Sequence, residues 1–179
     1  MASERTQKLA NRNFWDELMA MRDEQRARLK NATQVVRGDE LPLENNRQGL
    51  MRWYTHPAIT DTALSTLMCF EQQIPPRSRS GRLKFQGGQV VYILEGSGYT
   101  LLDGVKHAWE QGDILNLPRR ENGIVVQHVN TSDTETVRFI AVEANWFACT
   151  GVDRGSGFEQ IEDSPDYRNP GTQRSGGHG

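Results

Sequence analysis

Residues 81–130 predict an all-β sandwich or barrel, on three observations. Apolar or alternating runs there are short. They are cut at close spacing by Gly-Gly, Glu-Gly-Ser-Gly, Asp-Gly and Gln-Gly-Asp, the punctuation of antiparallel strands joined by tight turns. Over the whole chain, eight or more such runs accompany only one good helix. There is no internal repeat, so one barrel is expected rather than a duplicated one.

At 179 residues the chain is long enough for one domain with appendages and a real core. A formal net charge of -2 gives no electrostatic case for nucleic acid or an anionic membrane surface. No stretch approaches the roughly 20 apolar residues that span a bilayer. The first residues, MASERTQKLANRN, lack the apolar core of a secretory signal, so a cytoplasmic protein is expected. Cys69 and Cys149 lie far apart without CxxC spacing, and both are read as small buried hydrophobes rather than a disulfide.

In chain order, residues 1–12 are polar and expected to fray. Residues 13–30 are helical in pattern: Phe14, Leu18, Met21 and Leu29 share a stripe, with Trp15 beside it. Asp16 and Glu17 near the start and Arg26, Arg28 and Lys30 near the end suit the helix dipole. Such a helix is expected to pack on the barrel or on a partner subunit. Residues 31–48 read as a polar linker. Strands are expected at 50–55 and 63–73, the second ended by Pro75 and Pro76, which cannot donate to a ladder. The arginine-rich segment 77–82 (RSRSGR) reads as a solvent-facing loop, with reception of an anionic substrate as the functional alternative. Beyond 130, residues 136–143 alternate as a further strand, and Trp146 and Phe147 are expected to cap one barrel end. The tail is polar and Gly-rich, and residues 168–179 are expected to be disordered. The expected division is 1–47 for helix and linker, 48–150 for the barrel and 151–179 for a polar extension.

Two stretches, QGGQVVYILEGSGYTLLDG and GDILNLP followed by VQHVN, occur in the order of the two motifs of the cupin superfamily, which this chain resembles over roughly residues 48–148. The resemblance implies a double-stranded β-helix, or jelly-roll barrel, carrying the N-terminal α-helix as an addition. Gly112, Asp113, Pro118, His128 and Asn130 match the second motif, with a longer insert at 119–123. In the first motif the two histidine positions fall on Leu83 and Phe85 and the glutamate position on Gln89. Val126 takes the place of another histidine found in many relatives.

The family's usual metal site implies three imidazoles and one carboxylate converging from neighbouring strands. Leu and Phe offer no lone pair, a Gln carbonyl is a weak ligand, and one imidazole alone holds a transition metal poorly. No metal and no other cofactor is therefore expected at this place, and Leu83, Phe85 and Val126 are expected to form an apolar floor. An atypical metal site joining His128 to His56 or His107 has no support in spacing.

His128 carries the chemistry that remains. One reading is a neutral core histidine, its pKa lowered by desolvation, hydrogen-bonded to Gln89 or a backbone carbonyl. The other is an acid, a base or an orienting donor toward a substrate contacted by Leu83, Phe85, Gln89, Val126 and Trp53. Counting by two from Gln89 puts Val91 and Ile93 inside and Tyr92 outside.

The resemblance includes relatives of gentisate dioxygenase and other small-molecule catabolic proteins. A metal-free cupin binding a small aromatic or carboxylic metabolite is thus expected. Any catalysis would be non-redox: isomerisation, hydration, elimination or ring and lactone opening. The alternatives are a non-catalytic binding or accessory cupin, and a metal-dependent ring-cleaving dioxygenase or decarboxylase with unusual ligands. Homodimerisation through an exposed sheet or the N-terminal helix is expected, with no nucleic-acid or membrane partner.

Overall fold

A computed structural model describes residues 3–145. Two helices, α1 (Glu4–Leu9) and α2 (Phe14–Lys30), precede ten strands. These are β1 (Glu44–Asn46), β2 (Gly49–Thr55), β3 (Leu67–Ile74), β4 (Leu83–Phe85), β5 (Gln89–Glu95), β6 (Ser97–Leu102), β7 (Val105–Glu110), β8 (Ile114–Leu117), β9 (Ile124–Asn130) and β10 (Val137–Ala144). They form a six-stranded sheet in the order β1-β2-β3-β10-β5-β8 and a four-stranded sheet β4-β9-β6-β7, with neighbouring strands antiparallel. This is the expected all-β jelly roll.

Period-two alternation puts the core between the sheets. In β5, Gln89, Val91 and Ile93 are buried while Val90 and Tyr92 are exposed; in β9, Ile124, Val126, His128 and Asn130 are buried. Phe139 and Ala141 of β10 and Leu102 and Trp109 of the small sheet complete the packing.

Three expectations need correction. The first residues form a short helix, because Ser3 caps it by accepting from the Thr6 N–H. The linker ends in β1, which pairs with β2 through the tight turn Arg47–Gln48, with Gly49 at φ 119. Residues 63–66 are not strand, since the loop ahead of β3 is tied to Thr33: Thr33 N–H donates to Asp61 O and Ala63 N–H to Thr33 O. Segment 77–82 is a loop with exposed arginines as expected, and it is tied to β9. Asn130 N–H donates to Ser78 O at 3.0 Å, Ser80 N–H donates to His128 O at 2.9 Å, and Arg79 bridges Val129, so it lies along β9 ahead of β4.

Asn13 caps α2 as its side chain suits. Its apolar stripe nevertheless stays open: Phe14, Trp15, Met21 and Leu29 are all exposed, and Arg22 is the helix's one buried residue. No described helix is long and apolar enough to cross a membrane. Trp146, Phe147, Cys149 and the 151–179 extension lie outside the described residues.

Candidate functional site

The site is built from one register. β6 pairs with β9 so that Thr100 stands opposite His128, both side chains pointing into the barrel. Thr100 Oγ1 lies 2.7 Å from His128 Nδ1, and Trp109 Nε1–H of β7 donates to the same oxygen at 2.9 Å. An indole nitrogen only donates, so Trp109 fills one of the hydroxyl's two lone pairs and leaves its proton to be donated elsewhere. Among the described residues His128 Nδ1 is the acceptor it reaches. Leaving that buried proton unspent would be costly, so the favoured tautomer has Nδ1 accepting and the imidazole proton on Nε2. Burial pushes the His128 pKa down to about 4, so the ring is neutral at physiological pH. The backbone is held equally firmly: His128 N–H donates to Ser80 Oγ at 2.9 Å. Phe139 packs on the ring with centroids 4.8 Å apart.

His128 faces a small cavity of about 40 Å³ lined by residues that include Gln72, Ser80, Leu83, Phe85, Gln89, Val126 and Phe139. That is room for a few waters or one polar group, since a single water needs roughly 10–15 Å³ by this measure. Most polar groups around it are already engaged. Gln72 Nε2 donates to Gln48 O at 2.5 Å, Ser80 Oγ donates to Gly81 O at 2.9 Å, and Gln89 Nε2 donates to Glu143 Oε2 at 3.2 Å. The Nε2–H of His128 is left as a donor, alongside the side-chain amide of Gln48, which also lines the cavity.

The structure thus brings together Leu83, Phe85, Gln89, Val126 and His128, and leaves Trp53 out. Trp53 packs instead on Phe70, at 5.0 Å between centroids, and edge-on to His56 at 4.8 Å. Gln89 is not the partner of His128; Thr100 is. Leu83 is not floor either. It is 42 % exposed, because β4 is the edge strand of the small sheet, and it forms the rim of the cavity while Val126 lies beneath it.

The donor set at these positions does not fit the transition metal common in this type of barrel. It offers a single imidazole whose Nδ1 is taken by Thr100, and an amide turned toward Glu143. Among the described residues no group of three His, Cys, Asp or Glu side chains is placed to hold an ion. His56 Nδ1 accepts from the Ala58 N–H at 3.0 Å, and His107 is exposed on β7.

Sequence reasoning missed Thr100, Ser80 and Glu143. Thr100 carries a signal in retrospect: Thr100 and Leu102 alternate inward after the Glu-Gly-Ser-Gly turn. Glu143 is the inward position at the end of β10 facing Gln89, and its half-buried carboxyl is raised by desolvation, the Gln89 hydrogen bond offsetting part of that.

No protein-family model matches the chain. A curated relative, the 5-aminosalicylate 1,2-dioxygenase of Comamonas sp., is 24% identical over 106 residues, 59% of this chain and 27% of the relative. The match thus spans about a quarter of that protein. Among solved structures, a Cupin 2 conserved barrel domain protein from Salinispora arenicola superposes with a TM-score of 0.50, at 20% identity over 63% of this chain and 88% of that one. The polyketide cyclase RemF from Streptomyces resistomycificus superposes at 0.52, with 20% identity over 63% and 79%. Two facing antiparallel sheets, two motifs in order and these neighbours together give this chain the cupin barrel fold.

Proposed function

We propose that this chain is a metal-independent cupin that binds one small aromatic or carboxylic metabolite through the hydrogen bond that His128 Nε2–H offers into the barrel. The carrying observation is the Trp109–Thr100–His128 relay, which fixes a neutral donor in a mostly apolar cavity. A ligand places one acceptor oxygen there, beside Phe85, Val126 and Phe139, and its remaining body lies at the rim against Leu83. A six-membered ring enters further only if Leu83 and the Arg47–Gln48 turn move. The aromatic class is supported by the curated relative, whose name is that of a dioxygenase for 5-aminosalicylate, an aromatic carboxylate. The poor donor set argues against the same metal-dependent chemistry here. A cytoplasmic role in small-molecule catabolism and a homodimer complete the reading, the latter supported by the exposed apolar residues of α2.

A catalytic version has one observation in its favour, the raised carboxyl of Glu143 beside Gln89. Neutral His128 would then polarise a carbonyl while Glu143 exchanges a proton, giving non-redox isomerisation, hydration, elimination or lactone opening.

Calorimetric titration with 2-hydroxybenzoate tests the binding reading. Wild-type protein is expected to bind equally before and after EDTA treatment. His128→Leu is expected to weaken binding about tenfold, the worth of one hydrogen bond. Binding that disappears with EDTA and returns with Fe(II) would contradict it and favour the dioxygenase.

A further inference from the structure

We infer that the group this cavity takes up is a hydroxyl, which accepts from His128 Nε2–H and donates to the side-chain carbonyl of Gln72 or Gln89. The inference rests on the cavity reading above and names the chemistry of the ligand's entering end.

The two glutamines project inward from the large sheet. Gln72 is buried and stands opposite Phe139, the residue that packs on the His128 ring. Gln89 is buried and stands opposite Glu143. Both line the cavity together with His128.

Each amide is turned by a partner that can only accept. Gln72 meets the backbone carbonyl of Gln48, and Gln89 meets the carboxylate of Glu143, so in both cases the amide nitrogen faces the partner. The end of each amide without a partner is the carbonyl oxygen Oε1. Neither oxygen is sealed in protein, because among the described residues Arg52 Nε is the one buried side-chain N or O that lacks a hydrogen bond. Their opening is the cavity they line. Ser80 Oγ belongs to the same lining, and its proton is already spent on Gly81 O. Gln48, half-buried on the β1–β2 turn, can swing either end of its amide toward a ligand and so selects nothing.

The polar lining is therefore rich in lone pairs, with the His128 N–H set among them. A carboxylate only accepts, and its charge would face those lone pairs in otherwise apolar surroundings, a heavy desolvation cost. An ether or a halogen satisfies His128 at best and leaves both carbonyls bare. A hydroxyl accepts and donates at once, as a water it displaces would, and about 40 Å³ has room for it.

The test is calorimetric and compares two acids. In 3-hydroxybenzoate the hydroxyl lies too far from its own carboxylate to bond it, and 3-fluorobenzoate is close to it in shape but lacks the proton. Wild type is expected to bind the hydroxy acid about tenfold more tightly, the worth of one hydrogen bond. Methionine fills a glutamine's volume without the carbonyl, so in one of the single variants Gln72→Met and Gln89→Met the gap should close. The fluoro acid should bind that variant no more weakly than wild type, which separates a lost acceptor from a damaged cavity. Equal affinity of wild type for the two acids, or a gap that survives in both variants, overturns the hydroxyl assignment. The cavity reading then stands provided that His128→Leu still weakens 2-hydroxybenzoate. Failure of wild type to bind any of the three acids overturns the cavity reading and this inference with it.

Discussion

A histidine in an apolar barrel is useful only if its proton is assigned, and Thr100 makes that assignment. With Trp109 filling one lone pair of the hydroxyl, the Thr100 proton is best spent on His128 Nδ1, which makes Nε2 the donor. In the proposed binding mode His128 orients an acceptor rather than abstracting a proton. Thr100→Val keeps the shape and strands both partners, and it is expected to cost about 2–3 kcal/mol in urea unfolding. The lowered pKa carries a sign. Between the ordinary 6.5 and about 4, the unfolded chain takes up a proton at this residue and the folded chain does not. Stability should thus fall as pH drops through that window, by up to about 3 kcal/mol from His128 alone. In His128→Gln this part of the slope should vanish; equal slopes in the two proteins would contradict the burial argument.

At the scale of elements, the site depends on how closely β6, β7 and β9 pack. Gly98 faces Trp109 across the β6–β7 pair. An added Cβ would lie 2.7 Å from the indole Cη2 and collide with the Val129 carbonyl oxygen. Gly98→Ala is expected to destabilise the barrel by about 1–3 kcal/mol and to shift the tryptophan fluorescence, because the indole must leave Thr100. On the opposite sheet, buried Glu71 of β3 pairs diagonally with Arg138 of β10. The arginine's Nε and Nη2 donate to the two carboxylate oxygens at 3.0 and 3.2 Å, while its Nη1 reaches Glu95 at 2.7 Å. Burial acts to raise the Glu71 pKa, but the hydrogen bonds from Arg138 and Gln73 outweigh it and hold the carboxyl below its usual range. Arg138→Leu would leave that charge unpaired, and a loss of about 3 kcal/mol is expected on thermal or urea unfolding.

The resemblance to the two cupin motifs, with period-two counting along β5, was enough to place Leu83, Phe85, Gln89, Val126 and His128 in one neighbourhood. It could not supply the partner of His128. That depends on the β6–β9 register, set by strands 28 residues apart rather than by any local pattern. Nor could it show that Leu83 is rim and not floor, since exposure there follows from β4 being an edge strand. Segment 77–82 looked like a loop because arginine, serine and glycine have low strand propensity. It is a loop, and its hydrogen bonds to β9 at Ser78 and Ser80 are tertiary contacts that no local pattern shows.

For the whole molecule, the N-terminal helix and the barrel pose separate questions. The α2 sequence is amphipathic and well capped, yet Phe14 is 51 % and Met21 44 % exposed within the single chain. In the proposed homodimer these residues meet a second copy. Replacing Phe14, Trp15 and Met21 with serine should turn a dimer into a monomer by sedimentation without reducing strand content by circular dichroism. A dimer that survives the triple change would move the interface to the sheets. The barrel's own claim concerns a single ring, and a long-range ¹H–¹⁵N spectrum of the His128 imidazole at neutral pH tests it most directly. The expected result is a protonated Nε2 and an unprotonated Nδ1, unchanged by EDTA or by added Fe(II) or Zn(II). A protonated Nδ1, or an Nε2 resonance displaced by metal, would contradict the account and return the barrel to metal-dependent chemistry.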